Sequence, residues 1–174
     1  MSQPFIVSLA TLKRTEGAVK PFVCEAEFSE EIVVGLMTLP QRRLIRIHGD
    51  LQSVGDGVLV LAEIRTTLDF QCSRCLRQGS QDFLIDIQEL YIYPERKMEY
   101  EDEDVRHIDH ETIDLEEAAR DAIILEQPLS PLCSEDCPGL CLKCGVDLKD
   151  SPDHSHSDTT DSRWLSLTEW ARMS

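Results

Sequence analysis

Four cysteines lie within one short stretch, Cys133-Ser-Glu-Asp-Cys137-Pro-Gly-Leu-Cys141-Leu-Lys-Cys144-Gly145. Ordinary packing does not call for thiols so closely spaced, whereas a tetrahedral structural zinc does. Cys141 and Cys144, two residues apart and followed by Gly145, read as a zinc knuckle. The glycine lets the backbone turn so that amide N–H groups face the sulfurs. The pair Cys133 and Cys137 has a looser spacing, with Pro138 and Gly139 supplying a turn. A segment of this kind folds around an ion rather than around a core of its own.

A second pair, Cys72-Ser-Arg-Cys75, leaves two ligand sets open. Cys133, Cys137, Cys141 and Cys144 can form one self-contained zinc site, which is the expected set because it needs no long-range docking. Alternatively, Cys72 and Cys75 join Cys141 and Cys144 as a ribbon of two knuckles. The sequence around Cys72 runs into another strand and not into a helix N-terminus, so thioredoxin-type redox chemistry is not expected. The spacing Cys137-x3-Cys141-x2-Cys144 is also that of radical SAM iron–sulfur enzymes, but only about thirty residues follow it, too few for their long α/β barrel. Cys24 is expected to be a small buried side chain. His154 and His156 could be extra ligands but lie in a Ser/Asp-rich stretch and are expected to be solvated, and no catalytic Ser-His-Asp order or phosphate-cradling glycine loop is visible.

The formal charge of −16 over 174 residues disfavours binding nucleic acid through a broadly basic surface. The local concentration of positive charge is Arg42, Arg43, Arg46, Arg74 and Arg77, where a small RNA contact can lie. The run Glu101-Asp102-Glu103-Asp104 reads as a solvated loop. Residues 1–15 lack the cationic start and long apolar core of a signal peptide, and no apolar run approaches a membrane span, so the expected compartment is the cytoplasm.

Alternating apolar and polar residues place strands at 3–9 and 21–28, then at 43–51 and 60–70 around the turn Gly55-Asp56-Gly57, and at 83–91. These form an antiparallel β domain over residues 1–94, its sheet curled or partly closed to hide its edges. Residues 95–112 read as an acidic loop or linker. Residues 113–148 add a helix, with Asp114 as N-cap, Glu117 at the capping-box position and an apolar face of Leu115, Ala118, Ala119, Ala122 and Ile123, followed by the cysteine segment of the same domain. Residues 149–174 read as a polar linker and a short C-terminal helix from Asp161, carrying Trp164, Leu167 and Ala171 on one face. The fold class is α+β, with one or two packed helices and a C-terminal zinc-binding segment.

Several stretches together resemble the YceD family, the large ribosomal RNA subunit accumulation proteins. They are Phe70-Gln71-Cys72-Ser73-Arg74-Cys75-Leu76, Gln88-Glu89-Leu90-Tyr91, Ile113-Asp114-Leu115-Glu116-Glu117, the run from Ile124 to Cys133, the segment from Cys137 to Gly145, and Asp161-Ser162-Arg163-Trp164. The resemblance implies a non-enzymatic role in the synthesis, processing or stability of large-subunit (23S) rRNA in bacterial cytoplasm or plastids. The implied partner is pre-ribosomal large-subunit RNA or, given the acidity, a basic ribosomal protein. No membrane and no small-molecule substrate are implied.

Overall fold

In the computed structural model, which describes residues 5–95 and 105–156, apolar–polar alternation is converted directly into a sheet. The strands are β1 (Ile6–Ser8), β2 (Val19–Glu27), β3 (Ile32–Val34), β4 (Met37–Leu39), β5 (Leu44–Val54), β6 (Gly57–Gln71), β7 (Gln78–Ile92), β8 (Arg106–His107) and β9 (Thr112–Asp114). A single helix, α1 (Glu116–Glu126), is present among the described residues. Because side chains alternate along each strand, one face of the sheet is apolar and buried. One row crosses four strands, Cys24–Ile47–Ile64–Ile85, and all four side chains are buried. Cys24 is thus a core residue, as its sequence context suggests.

Strand β6 is the spine. It pairs antiparallel with β7 along its whole length, from Gly57↔Ile92 to Gln71↔Gln78. Its other edge takes β5 and then the end of β4, and β2 and β3 lie outside those. The β6–β7 turn, residues 72–77, is where the first cysteine pair sits. The sheet is open, not closed: β2 and β3 end it on one side and the two-residue β8, parallel to β7, on the other.

Strand β1 does not join this sheet. It pairs with β9, which ends one residue short of α1, to make a separate two-stranded ribbon. The helix begins one residue later than a cap at Asp114 requires. Leu115 stands at the N-cap with no side-chain cap, but Asp114 Oδ1 accepts the Glu116 N–H at 2.9 Å, so the carboxylate still meets an unpaired helical amide. Leu115, Ala118, Ala119 and Ile123 are buried against the sheet, as their spacing predicts, and Ala122 is partly buried.

Residues 105–112, expected to belong to the acidic loop, instead contribute β8, the buried Ile108 and a return bridge from Asp109 to Thr112. The run 101–104 and the helix expected from Asp161 lie outside the described residues. None of the helices among the described residues is long and apolar enough to cross a membrane.

Candidate metal centres

The β6–β7 turn starts the site. Cys72 donates its N–H to the Arg77 carbonyl at 2.8 Å, and the Leu76 N–H returns to the Cys72 carbonyl at 2.9 Å. Leu76 adopts φ +61°, the left-handed region. This closes the chain tightly enough to put both Cys72 and Cys75 inside the protein.

The segment after α1 then passes directly under this turn. Ser73 N–H donates to the Pro131 carbonyl at 2.9 Å, and Leu140 N–H to the Arg74 carbonyl at 3.2 Å. Between those two tethers, Cys137 N–H bonds back to the Ser134 carbonyl at 3.1 Å, a turn that aims Cys133 and Cys137 inward. The Cys72 and Cys137 sulfurs lie 3.8 Å apart, and those of Cys75 and Cys133 3.6 Å apart. All four sulfurs lie within 4.8 Å of one another. A tetrahedron built on Zn–S bonds of about 2.3 Å has edges of about 3.8 Å, so the four thiols match a closed thiolate site.

The self-contained set expected from sequence is therefore not the one the fold assembles, and neither is the ribbon of Cys72, Cys75, Cys141 and Cys144. Cys133 and Cys137 join Cys72 and Cys75, while Cys141 and Cys144 go elsewhere. The cause is Gly139. At φ +77° it turns the chain outward, and a Cβ there would sit 3.2 Å from the Arg74 carbonyl oxygen. The chain leaves the core at that point and forms a small hairpin, with Leu140 bridged to Asp147.

That hairpin is a second knuckle. Cys141 N–H donates to the Val146 carbonyl and Gly145 N–H to the Cys141 carbonyl, each at 2.8 Å. His154 and His156 come back over it. Cys144 Sγ lies 3.2 Å from His154 Nε2 and 3.3 Å from His156 Nε2, and the two Nε2 atoms are 2.9 Å apart. The sequence offers both histidines as extra ligands but does not assign them to Cys141 and Cys144. The available signal was a C-x2-C pair followed about ten residues later by H-x-H, a ligand order that zinc sites use.

The surroundings prepare the thiols unequally. At Cys72 burial works to raise the thiol pKa, but backbone N–H groups of Cys75, Cys133 and Arg74 outweigh it and bring it to about 6. Backbone N–H groups of Lys143 and Cys144 likewise lower Cys141 to about 6. Burial raises Cys137, and Cys75 is pushed up to about 12: burial and the neighbouring thiols outweigh an N–H from Arg77. In a cluster of four thiols, ionising one opposes ionising the next until a cation balances them.

The arginines singled out in the sequence are largely engaged. Arg43 pairs with Asp69 at 3.2 Å and Arg46 with Glu25 at 2.6 Å. Arg74 donates to the Cys137 carbonyl at 3.0 Å. Arg77 Nε donates to Asp147 at 2.7 Å, and its Nη2 donates to Asp150. Arg42 is exposed in the turn before β5, at φ +58°.

The comparisons with known proteins bear on the same cysteines. The family described as large ribosomal RNA subunit accumulation protein YceD matches residues 60–169, a span holding both knuckles, α1 and the paired histidines. The chain belongs to the YceD family. Uncharacterized proteins of Mycobacterium bovis and Mycobacterium tuberculosis are 34% identical over 171 residues, covering 97% of this chain and 82% of the relative. An uncharacterized protein of Mycobacterium leprae is 31% identical over 168 residues, covering 95% and 77%. No solved structure gives a significant match. In this YceD protein the Cys72–Cys75 turn and the Cys133–Cys137 segment are two halves of one cluster.

Proposed function

We propose that this YceD-family protein is a non-enzymatic ribosome-biogenesis factor that supports the synthesis, processing or stability of large-subunit rRNA in the bacterial cytoplasm. The observation that carries the reading is the family match over residues 60–169. The family is named for accumulation of an RNA, not for a reaction. The buried cluster of Cys72, Cys75, Cys133 and Cys137 fits the reading as a structural zinc site. Four thiolates fill the tetrahedron and leave no position for a substrate or an activated water, so zinc there would serve folding. Depletion of the protein in a bacterial host should lower large-subunit rRNA relative to small-subunit rRNA. An unchanged ratio in a strain verified to lack the protein would remove the proposal.

One observation favours a basic ribosomal protein over RNA as the direct contact. Of the five arginines expected to touch RNA, Arg43, Arg46 and Arg77 are paired with carboxylates of this chain and Arg74 is spent on backbone carbonyls. The formal charge of −16 points the same way. Capture of partners after nuclease treatment distinguishes the two. A basic ribosomal protein retained without RNA supports the protein contact, and loss of all ribosomal material on nuclease treatment supports RNA.

A further inference from the structure

We propose that Cys141, Cys144, His154 and His156 form a second metal centre, a Cys2His2 site for one Zn2+, separate from the buried four-cysteine cluster and exchanging its ion more readily. The proposal stands on its own ligands and does not depend on the ribosomal role.

Four ligand atoms of the right chemistry converge, all within 4.8 Å of one another. The separations of 3.2 Å and 3.3 Å from Cys144 Sγ to the two imidazoles, and 2.9 Å between the imidazoles, are a little shorter than the edges of a zinc tetrahedron, about 3.3–3.6 Å for this ligand mixture. Without a cation, the arrangement is poorly explained. Both imidazoles turn the same atom, Nε2, toward one thiol and toward each other, with rings nearly perpendicular at 88°. Neutral imidazoles could share at most a hydrogen bond there, in an exposed segment where water competes. A cation binds every one of these lone pairs at once.

The two centres differ in ways that set their exchange. The inner cluster is buried at Cys72, Cys75 and Cys137, whereas Cys144 and His156 are exposed and Cys141 and His154 are half-buried. Two thiolates and two neutral imidazoles also balance a divalent cation, whereas four thiolates leave the inner site negative and hold the ion more strongly. The outer ion would fasten residues 149–156, rich in Asp and Ser, onto the second knuckle. The return path is already begun by Ser151 N–H donating to the Asp147 carbonyl at 3.1 Å and His154 N–H to the Ser151 carbonyl at 3.1 Å.

The test uses the full chain purified without chelator, with zinc measured by elemental analysis and its release followed with a chromogenic chelator. Wild type should hold two zinc ions per chain and release one at least tenfold faster than the other. The double variant His154→Ala/His156→Ala should hold one, lose the fast phase, and keep its far-UV circular dichroism and cooperative unfolding. Cobalt substitution gives an independent readout, since mixed sulfur–nitrogen and all-sulfur sites differ in their visible bands. Wild type and the double variant holding the same number of ions would overturn the proposal, as would a single release phase in wild type. A variant that fails to fold would be replaced by Cys144→Ser, judged by the same zinc count.

Discussion

Leu76 and Gly145 occupy the same place in two copies of one turn. Each follows the second cysteine of a C-x2-C pair, each donates its N–H to the carbonyl of the first cysteine, and each has positive φ, +61° and +73°. Only one of them is a glycine. A non-glycine residue in this region costs about 1–2 kcal/mol. Leu76 is 52% exposed, so its side chain returns little by burial. Leu76→Gly should therefore stabilise the metal-loaded protein by about 0.5–1 kcal/mol after the added chain entropy of glycine. Gly145→Ala should destabilise the outer knuckle by about 1 kcal/mol. A Cβ at 145 meets nothing within 4 Å, so backbone strain alone carries that cost. Urea unfolding of both variants decides the matter, and a destabilised Leu76→Gly protein would contradict the equivalence.

Arg77 joins the two knuckles, because it sits at the end of the first and bonds Asp147 and Asp150 beyond the second. Asp147 is only 17% exposed, whereas Asp150 is 69% exposed. A double-mutant cycle of Arg77→Ala with Asp147→Ala should give a coupling of about 1 kcal/mol, and the cycle with Asp150→Ala a smaller one that high salt abolishes. Equal couplings in both cycles would show that burial of the Asp147 pair does not matter.

Arg106 anchors β8 between the sheet and the helix. Its side chain is 16% exposed and reaches Glu89 on β7 at 3.1 Å and Asp121 on α1 at 2.6 Å. Arg106→Met keeps the aliphatic length and strands two carboxylates. The expected loss is about 2 kcal/mol in urea unfolding, with earlier hydrogen exchange in residues 105–108 than in β6. Wild-type exchange in those residues would count against the anchoring role.

Tyr91 offers a cleaner measurement. Its ring is buried at the end of β7, and its hydroxyl donates to the Asp114 carbonyl at 2.8 Å, joining the main sheet to the last residue of β9. Burial raises the phenol pKa, so the group stays a donor across the physiological range. Tyr91→Phe preserves packing and should cost about 1 kcal/mol by thermal or urea unfolding. A change near zero would mean that water replaces the lost donor.

Where local pattern and tertiary outcome agree, the sequence was readable. Ile47 and Leu51 lie opposite Ile64 and Val60 in a two-faced hairpin, and Ile45 and Leu68, on the same alternation, are buried with them. The β3–β4 hairpin was missed because each strand has three residues, although Gly35 at φ +58° holds the place that a type II′ turn gives to glycine. Residues 105–112 were misread for a similar reason. Two residues, Arg106 and His107, are too few to show any period, and their place comes from β7 beside them.

The candidate metal ligands were recognised by type and misassigned by partner. Sequence proximity linked Cys133 and Cys137 to Cys141 and Cys144, but the glycine at 139 separates them. What unites Cys133 with Cys75 is the packing of α1, which delivers the chain to the β6–β7 turn. No local pattern encodes that meeting. The histidines were expected to be solvated because of their polar neighbours; His156 is exposed and His154 half-buried, yet both imidazoles also meet Cys144.

The inner cluster joins cysteines 58 and 65 positions apart in the chain. During synthesis Cys72 and Cys75 emerge first and must wait for Cys133 and Cys137. At about 5–20 residues per second the delay is roughly 3–13 seconds. For that interval the β6–β7 turn presents two reduced thiols with no mates, open to oxidation or to the wrong ion. The four-thiol cluster is thus among the last parts of the core to be completed, and the structural zinc proposed for it would have to reach a chain already mostly made.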